Sequence, residues 1–223
     1  MMIRNFFLFF LFFAISSSVY CQESDFGLWY GADAEYSLNK KIDFNLSAKI
    51  RTYKNGSELD QAYMEFGTSC NFNKYLSVAG SYRLINKREE KSEYHFRHDL
   101  FADIKGSYPL KNFSFSLRLR FQTEVRTYYE NEEDKIPKYV GRVKLKCVYN
   151  IPKFPVNPYA SIETFSPLFE SSDVYFVKSR YTLGLEFKLN KKNSIETEYI
   201  LQAIYYPDLV NVHIISLNYN FKF

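Results

Sequence analysis

The chain has 223 residues and a formal net charge of +4, and 19% of its residues are aromatic, with 20 Tyr and 22 Phe. Its basic residues are spread along the chain instead of forming one patch, so no nucleic-acid partner is expected. After residue 21, no uncharged apolar run approaches the roughly 20 residues that a transmembrane helix requires. These features exclude a helical membrane protein and leave the excess of aromatic residues to be explained by another architecture.

Residues 1–21 have the pattern of a secretory signal peptide. A positive charge precedes an apolar run of ten residues, 6–15, and a serine-rich segment follows. We expect cleavage after Cys21, which leaves residues 22–223 as a single mature domain. The alternative is that Cys21 is the lipid-modified cysteine of a lipoprotein, but Tyr20 argues against it because such cysteines usually follow Gly, Ala or Ser.

From Phe26 onward, apolar and polar residues alternate in a series of segments. The clearest is 112–127, where Phe113, Leu117 and Leu119 fall on one face and charged residues fall on the other. A period of two held for this length suits a tilted strand that crosses a bilayer. Eleven segments show the pattern: 28–38, 42–51, 60–72, 75–86, 94–106, 112–127, 138–149, 158–165, 180–189, 194–203 and 213–223.

The connections between these segments alternate between two classes. Compact turns are found at 39–41, 73–74, 109–111, 150–158 and 190–193, and longer or more charged connections at 54–60, 87–93, 130–137, 167–174 and 207–211. Outer-membrane barrels have short periplasmic turns and longer extracellular loops. The sequence therefore predicts an all-β fold, an antiparallel up-and-down transmembrane β-barrel of about 10–12 strands.

The strand number is a difficulty, because bacterial single-chain barrels nearly always have an even count. Eleven segments are visible, so we expect ten strands, with twelve as the next choice. Either the first segment lies inside the barrel or pairs only in part, or one further strand has escaped recognition.

The last segment resembles the closing strand of an outer-membrane barrel. Tyr219, Phe221 and Phe223 alternate with polar residues and end the chain on an aromatic side chain. We interpret these three residues as the assembly signal that the barrel assembly machinery reads after periplasmic chaperones deliver the chain. The expected location is the outer membrane, in contact with its lipid and lipopolysaccharide.

The alternation assigns the charged face of each strand to the barrel interior. The charged residues predicted to line the lumen are Arg51, Arg83, Arg97, Arg118, Arg120, Glu124, Arg126, Arg142, Glu186 and Glu196. About ten strands leave little room beyond the side chains, which favours a salt-bridged plug and an envelope structural protein. The sharper hypothesis is a narrow channel with a charged lumen. Cys70 and Cys147 fall on the outer face and are expected to be free thiols.

Two other functions are weaker alternatives. His95 and His98 lie near Ser92, Glu93 and Asp99, which allows a lipid-modifying barrel hydrolase. However, His98 and Asp99 fall on opposite faces of one strand, and a catalytic set must converge. We therefore expect no catalytic residues, and without Cys or His clusters at ligand spacing we expect no metal and no cofactor. The last alternative is a secreted soluble β-protein that binds an apolar ligand.

The mature chain also resembles an uncharacterised outer-membrane family, domain of unknown function 2490. The likeness covers nearly all of the mature chain and rests on Trp29, a Lys-rich first turn, Arg51, the pair Tyr82-Arg83, the run Arg97-His98-Asp99-Leu100, and Arg118 with Arg120. The resemblance implies a barrel fold and implies no activity.

Overall fold

The computed structural model describes residues 24–89, 93–129, 135–169, 176–206 and 209–223. The predicted signal peptide, residues 1–21 with Cys21, lies outside these ranges, as do Ser92 and the acidic stretch 130–134. In the described ranges no helix is long and apolar enough to cross a membrane.

The described residues form eleven strands that close into a barrel. Each strand pairs with the next in antiparallel fashion, and β11 returns to pair with β1. The strands are β1 (Ser24–Ser37), β2 (Ile42–Tyr53), β3 (Glu58–Asn71), β4 (Leu76–Arg88), β5 (Tyr94–Leu110), β6 (Phe113–Arg126), β7 (Lys138–Tyr149), β8 (Val156–Leu168), β9 (Lys178–Lys188), β10 (Asn193–Ile204) and β11 (Val210–Lys222). The predicted β-barrel is confirmed.

The preference for an even strand count was wrong. Because the strands alternate in direction, the first and last of eleven run the same way, and the ring closes through a parallel pair that extends from Ser24 opposite Asn211 to Glu35 opposite Lys222. A parallel ladder is slightly less stable per residue than an antiparallel one, but it satisfies the backbone equally. The first segment is therefore a full wall strand that pairs on both edges.

Side chains add to the backbone pairing at this seam between β1 and β11. The Asn218 amide donates to Asp33 at 2.7 Å, and the Lys222 ammonium lies 3.1 Å from the Glu35 carboxylate. Beyond the strand, the Phe223 amide donates to the Glu35 carbonyl at 2.9 Å. The chain's last residue is thus fixed to the seam.

The two faces of the barrel wall have opposite character. Outward side chains are apolar and exposed, whereas inward side chains are polar and buried: Leu119 is 46% exposed, and its neighbour Arg120 is 9% exposed. Soluble proteins show the reverse distribution. The interior is thus a polar core that also contains inward aromatic rings, among them Tyr63, Phe101 and Phe165.

The strand connections define two ends of the barrel. At the turn end, short segments join β1 to β2, β3 to β4, β5 to β6, β7 to β8 and β9 to β10; the other connections lie at the loop end. One loop-end connection, 54–57, is compact because Lys54, Asn55 and Gly56 adopt left-handed conformations (φ 49°, 57° and 79°). The Asp25 carboxylate accepts hydrogen bonds from the Lys54 and Asn55 amides at 3.0 and 2.9 Å, which ties this turn to β1.

Several strand boundaries differ from the predicted ones. β5 continues through Pro109 and Leu110, where a turn was predicted, because these residues pair with Ser114 and Phe113 of β6. β8 begins at Val156, inside the predicted Pro-rich turn. In both cases the proline led to the prediction of a turn. Proline is accepted in a strand at positions where no backbone amide has to donate a hydrogen bond to the neighbouring strand.

Candidate functional site in the barrel lumen

The residues predicted to line the lumen lie on the inward-facing register positions of their strands. Eight of the ten border one of two interior cavities: Arg51, Arg83, Arg97, Glu124 and Arg142 at the loop end, and Arg120, Glu186 and Glu196 at the turn end. The remaining two are Arg118, which reaches Glu163 of β8, and Arg126, which lies opposite Arg97 in the β5–β6 register.

The two cavities occupy opposite ends of the barrel. The loop-end vestibule has a volume of about 500 Å³ and extends to Lys178 and Tyr206 at the loop-end limits of β9 and β10. The turn-end vestibule has a volume of about 420 Å³ and extends to Glu35 and Lys222 at the ends of β1 and β11. The two share no lining residue. Each lies within or near the size range of small-molecule sites.

The vestibules carry opposite charge. Among the described residues, eight cationic and three acidic side chains line the loop-end vestibule: Arg51, Arg83, Lys87, Arg97, Lys138, Arg142, Lys178 and Arg180, against Asp60, Asp99 and Glu124. Six acidic and two cationic side chains line the turn-end vestibule: Asp33, Glu35, Glu65, Asp103, Glu186 and Glu196, against Arg120 and Lys222. Charges of one sign in a low-dielectric cleft focus the electrostatic potential, so the two described linings differ in potential, although Lys49 from outside the turn-end lining pairs with Asp33 at 3.1 Å.

A layer of ion pairs and aromatic rings lies between the vestibules. Arg83 of β4 contacts Glu65 of β3 at 2.5 Å, and Arg120 of β6 binds both carboxylate oxygens of Asp103 of β5 at 2.6 Å. Phe101 lies against both guanidinium groups, with ring-centroid distances of 4.6 Å to Arg83 and 4.4 Å to Arg120. Cation–π contacts of this kind gain strength when they are desolvated.

The β6–β8 side of this layer is centred on Glu163. Its carboxylate is 4% exposed and accepts hydrogen bonds from Arg118 at 2.6 Å and from Arg142 at 2.8 Å. Arg142 also lies over the Phe165 ring, at 4.5 Å. We call Tyr63, Glu65, Arg83, Phe101, Asp103, Arg118, Arg120, Arg142 and Glu163 together the central layer. One carboxylate thus bridges two guanidinium groups in the middle of the lumen.

The inward aromatic residues were missing from the predicted lumen residues. Trp29, Tyr63, Phe101, Tyr159 and Phe165 each lie under an arginine or lysine side chain. The sequence holds a signal for them, because each occupies a position on the polar face of its alternating strand. The predicted lumen set was restricted to charged residues and therefore did not include them.

The residues predicted as the assembly signal lie on the outer face at the turn end. Tyr219 is exposed, and its hydroxyl contacts Asn193 of β10. Phe221 and Phe223 pack edge to face with ring centroids 4.6 Å apart, and Phe223 also contacts Tyr36 across the seam at 6.2 Å. These rings form part of a cluster of aromatic side chains at the turn end of the barrel wall.

The histidines of the hydrolase alternative do not converge on a carboxylate and a hydroxyl of the described chain. His98 faces outward, where its Nδ1 lies 2.6 Å from the Tyr82 hydroxyl. Asp99 faces inward, is 3% exposed and accepts a hydrogen bond from Gln122 at 3.2 Å. His95 stacks on Tyr128 with ring centroids 3.9 Å apart, and its Nε2 lies 3.5 Å from Glu93.

Cysteine and metal chemistry adds nothing to the lumen. Cys70 and Cys147 are free thiols. Among the residues that the structure describes, no group of three or more His, Cys, Asp or Glu side chains is arranged to hold a metal ion.

Comparison with known proteins supports the fold and identifies the family. No curated protein matches the chain significantly. A solved structure of the NanC porin, in a rhombohedral crystal form, has a TM-score of 0.52 at 11% identity and covers 85% of this chain and 93% of that chain. At this identity the likeness concerns the fold alone. The family model described as protein of unknown function (DUF2490) matches residues 26–212, and the chain therefore belongs to this family, as the sequence motifs predicted.

Proposed function

We propose that this protein is an integral outer-membrane β-barrel that provides a narrow, charge-lined passage for small solutes. It is not an open diffusion pore, because open aqueous channels belong to barrels of about sixteen strands. The observation that carries the proposal is the lumen itself, with two charged vestibules separated by the central layer. The structural neighbour is a porin, which agrees with this function.

The outer face supports the membrane location. Leu84, Leu119, Leu145, Leu183 and Leu217 are all exposed on the outside of the wall. An apolar surface that surrounds the whole molecule far exceeds the few hundred Å² that soluble monomers expose. A bilayer would cover it, at a gain of about 25 cal/mol for each Å² of apolar surface removed from water.

The interior favours a passage over a completely filled plug. A plug would pair each lumen charge with a neighbour of opposite sign and would leave no cavity. Instead, cavities of about 500 and 420 Å³ remain, and cations outnumber acids in the described lining of the loop-end cavity. A cleft lined by an excess of one sign of charge focuses the potential and raises the local concentration of a solute of opposite charge.

The experiment that tests this proposal combines localisation with conductance. We expect the mature protein in the outer-membrane fraction, with heat-modifiable gel migration, and a small single-channel conductance in planar bilayers. Phe101→Ala removes the ring between Arg83 and Arg120 and should raise the conductance. The matched control is Phe115→Ala, because Phe115 is an exposed phenylalanine of the outer face and its loss leaves the lumen unchanged.

Two results would overturn the proposal. Recovery as a soluble periplasmic monomer would refute the membrane location and favour a soluble β-protein that binds an apolar ligand. A barrel that inserts but carries no current, in both the native form and Phe101→Ala, would refute the passage and leave an envelope structural protein.

A further inference from the structure

Three cations of the loop-end vestibule stand out because they lie against aromatic rings and form no ion pair with a described carboxylate. Arg51 of β2 donates to the Tyr63 hydroxyl at 2.9 Å, and Arg180 of β9 donates to the Gln202 carbonyl oxygen at 2.8 Å. Lys178 of β9 lies over the Phe165 ring at 4.5 Å. Among the described residues, none of the three forms an ion pair, whereas Arg83, Arg97 and Arg142 in the same vestibule all do.

The two arginines converge on one indole ring. The Arg51 guanidinium carbon lies 3.9 Å from the centroid of the Trp29 ring, and that of Arg180 lies 5.0 Å from it. The Arg51 Nε is buried and has no hydrogen-bond partner. Two like charges that share one ring, with a buried donor unused, are unfavourable unless a group of opposite charge completes the arrangement.

None of the three acidic residues of the described lining, Asp60, Asp99 and Glu124, forms an ion pair with these cations. Asp99 and Glu124 lie on the β5–β6 wall, where both accept hydrogen bonds from the Gln122 amide, at 3.2 and 2.7 Å. Arg51 of β2 and Arg180 of β9 face Trp29, and the Arg180 guanidinium carbon also lies 4.8 Å from the centroid of the Phe165 ring that Lys178 contacts. Within the part of the chain that the structure describes, positive charge is therefore left over around the Trp29 ring.

We propose that Arg51, Lys178 and Arg180 form a binding site for the oxyanion of a small organic solute, either a carboxylate or a phosphate ester. Guanidinium groups present paired donors that match both oxyanions. The cavity of about 500 Å³ accommodates a small molecule and no macromolecule. The site identifies small organic anions as the substrate class of the passage. Its role in transport rests on the proposed function, whereas binding itself requires only the folded barrel.

Trp29 makes this site directly measurable. It is the only Trp in the chain, so the tryptophan emission of the folded barrel in detergent micelles reports the ring that both arginines contact. The probes are glucuronate, glucose 6-phosphate and glucose, at matched ionic strength with sodium chloride. We expect a saturable change with at least one of the two anions and none with glucose. Binding by glucuronate alone identifies a carboxylate site, and binding by glucose 6-phosphate alone identifies a phosphate site.

Matched variants distinguish specific binding by Arg51 and Arg180 from general attraction of anions to the positive charge of the vestibule. Arg51→Gln and Arg180→Gln should each weaken binding of the anion by about tenfold or more, the size expected for loss of a charge-assisted hydrogen bond. The control is Lys138→Gln, which removes the same charge from an exposed residue that lines the same vestibule. Screening by salt limits its effect to about threefold or less. Heat-modifiable migration of each variant establishes that the barrel has folded.

The outcomes that contradict the site differ from those that contradict the passage. If calorimetry and fluorescence both detect no anion binding, or if glucose binds as tightly as the anions, the site is refuted. Equal weakening by Lys138→Gln and Arg180→Gln would also refute it, since charge alone would then account for the affinity. A barrel that binds anions in detergent and carries no current in bilayers refutes the passage only.

Discussion

Replacing Glu163 with Gln tests whether the middle of the lumen is dry. Glu163 is the carboxylate shared by Arg118 and Arg142, so Glu163→Gln leaves two guanidinium groups side by side without a countercharge. The side chains of Arg142 and Glu163 are 8% and 6% exposed, so solvent screens this pair very little. Arg118 is 25% exposed and contributes less.

The expected loss follows from these exposures. Removing one partner of a buried ion pair typically costs about 3–5 kcal/mol. The Gln side chain keeps one carbonyl oxygen as a neutral acceptor, which recovers about 1 kcal/mol. We therefore expect Glu163→Gln to lower the free energy of unfolding by about 2–4 kcal/mol.

The assay is urea unfolding of the mature barrel in lipid vesicles, followed by Trp29 emission and by heat-modifiable migration. The matched control is Glu35→Gln, whose pair with Lys222 is 36% and 61% exposed at the two side chains and should contribute less than about 1 kcal/mol. A Glu163→Gln loss no larger than that of the control would refute the reasoning. The central layer would then be hydrated, and its ion pairs would not close the lumen.

Three further predictions concern the wall. Leu119→Arg places a charge on the exposed outer face and should lower the stability of the bilayer-inserted barrel by about 2–4 kcal/mol, measured by vesicle folding. Deletion of Phe223 should reduce the folded barrel recovered in outer-membrane fractions, measured by heat-modifiable migration. Gly184→Ala should cost about 1–3 kcal/mol in urea unfolding because its methyl group would overlap the Tyr159 ring, whereas Gly106→Ala meets no atom within 4 Å and should be neutral.

Each of these predictions has an outcome that would contradict it. Normal folding of Leu119→Arg together with failure of Arg118→Leu would reverse the inner and outer assignments of β6. Recovery of the Phe223 deletion variant in outer-membrane fractions at the wild-type amount would show that this residue is not required for assembly. If Gly184→Ala and Gly106→Ala unfold at the same urea concentration, the close contact between Gly184 and Tyr159 does not constrain the interior.

The direction of each side chain could be predicted from the sequence because it depends on a local rule. In a strand, successive side chains alternate between faces, so a single recognised apolar position fixes its neighbours. Leu117, Leu119 and Phe121 accordingly lie outward, and Arg120 and Gln122 lie inward and are buried. The eleven alternating segments each became one strand for the same reason.

The parallel seam could not be predicted because no local pattern encodes it. Alternation within β1 and β11 shows which residues face inward, but it does not show which other strand they pair with. The even-count rule summarises known bacterial barrels, and it gave the wrong strand number here. Only the full register, with Trp29 opposite both Ser216 of β11 and Arg51 of β2, establishes that β1 completes the ring.

The pairing of Arg118 with Glu163 was equally inaccessible, because the Arg118 side chain reaches beyond the adjacent strand. In the register, Arg118 of β6 lies opposite Lys144 of β7, which in turn lies opposite Glu163 of β8. Arg118 passes over β7 to reach Glu163 at 2.6 Å. Such a contact depends on barrel curvature and side-chain length, and neither can be derived from periodicity.

The seam also explains why unpaired cations collect around Trp29. On either side of Trp29, β1 has glycine on the inner face, and a Cβ at Gly31 would overlap the Asn218 side chain and lie 3.1 Å from Lys49. The opposed residue on β11 is the small Ser216. These small residues leave space on the lumen side of the seam. Arg51 extends into this space from β2 and Arg180 from β9, and both contact the indole ring. A bulky residue in place of Gly31 would displace Asn218 from its 2.7 Å hydrogen bond with Asp33. The closure of the barrel and the space around Trp29 therefore depend on the same small residues.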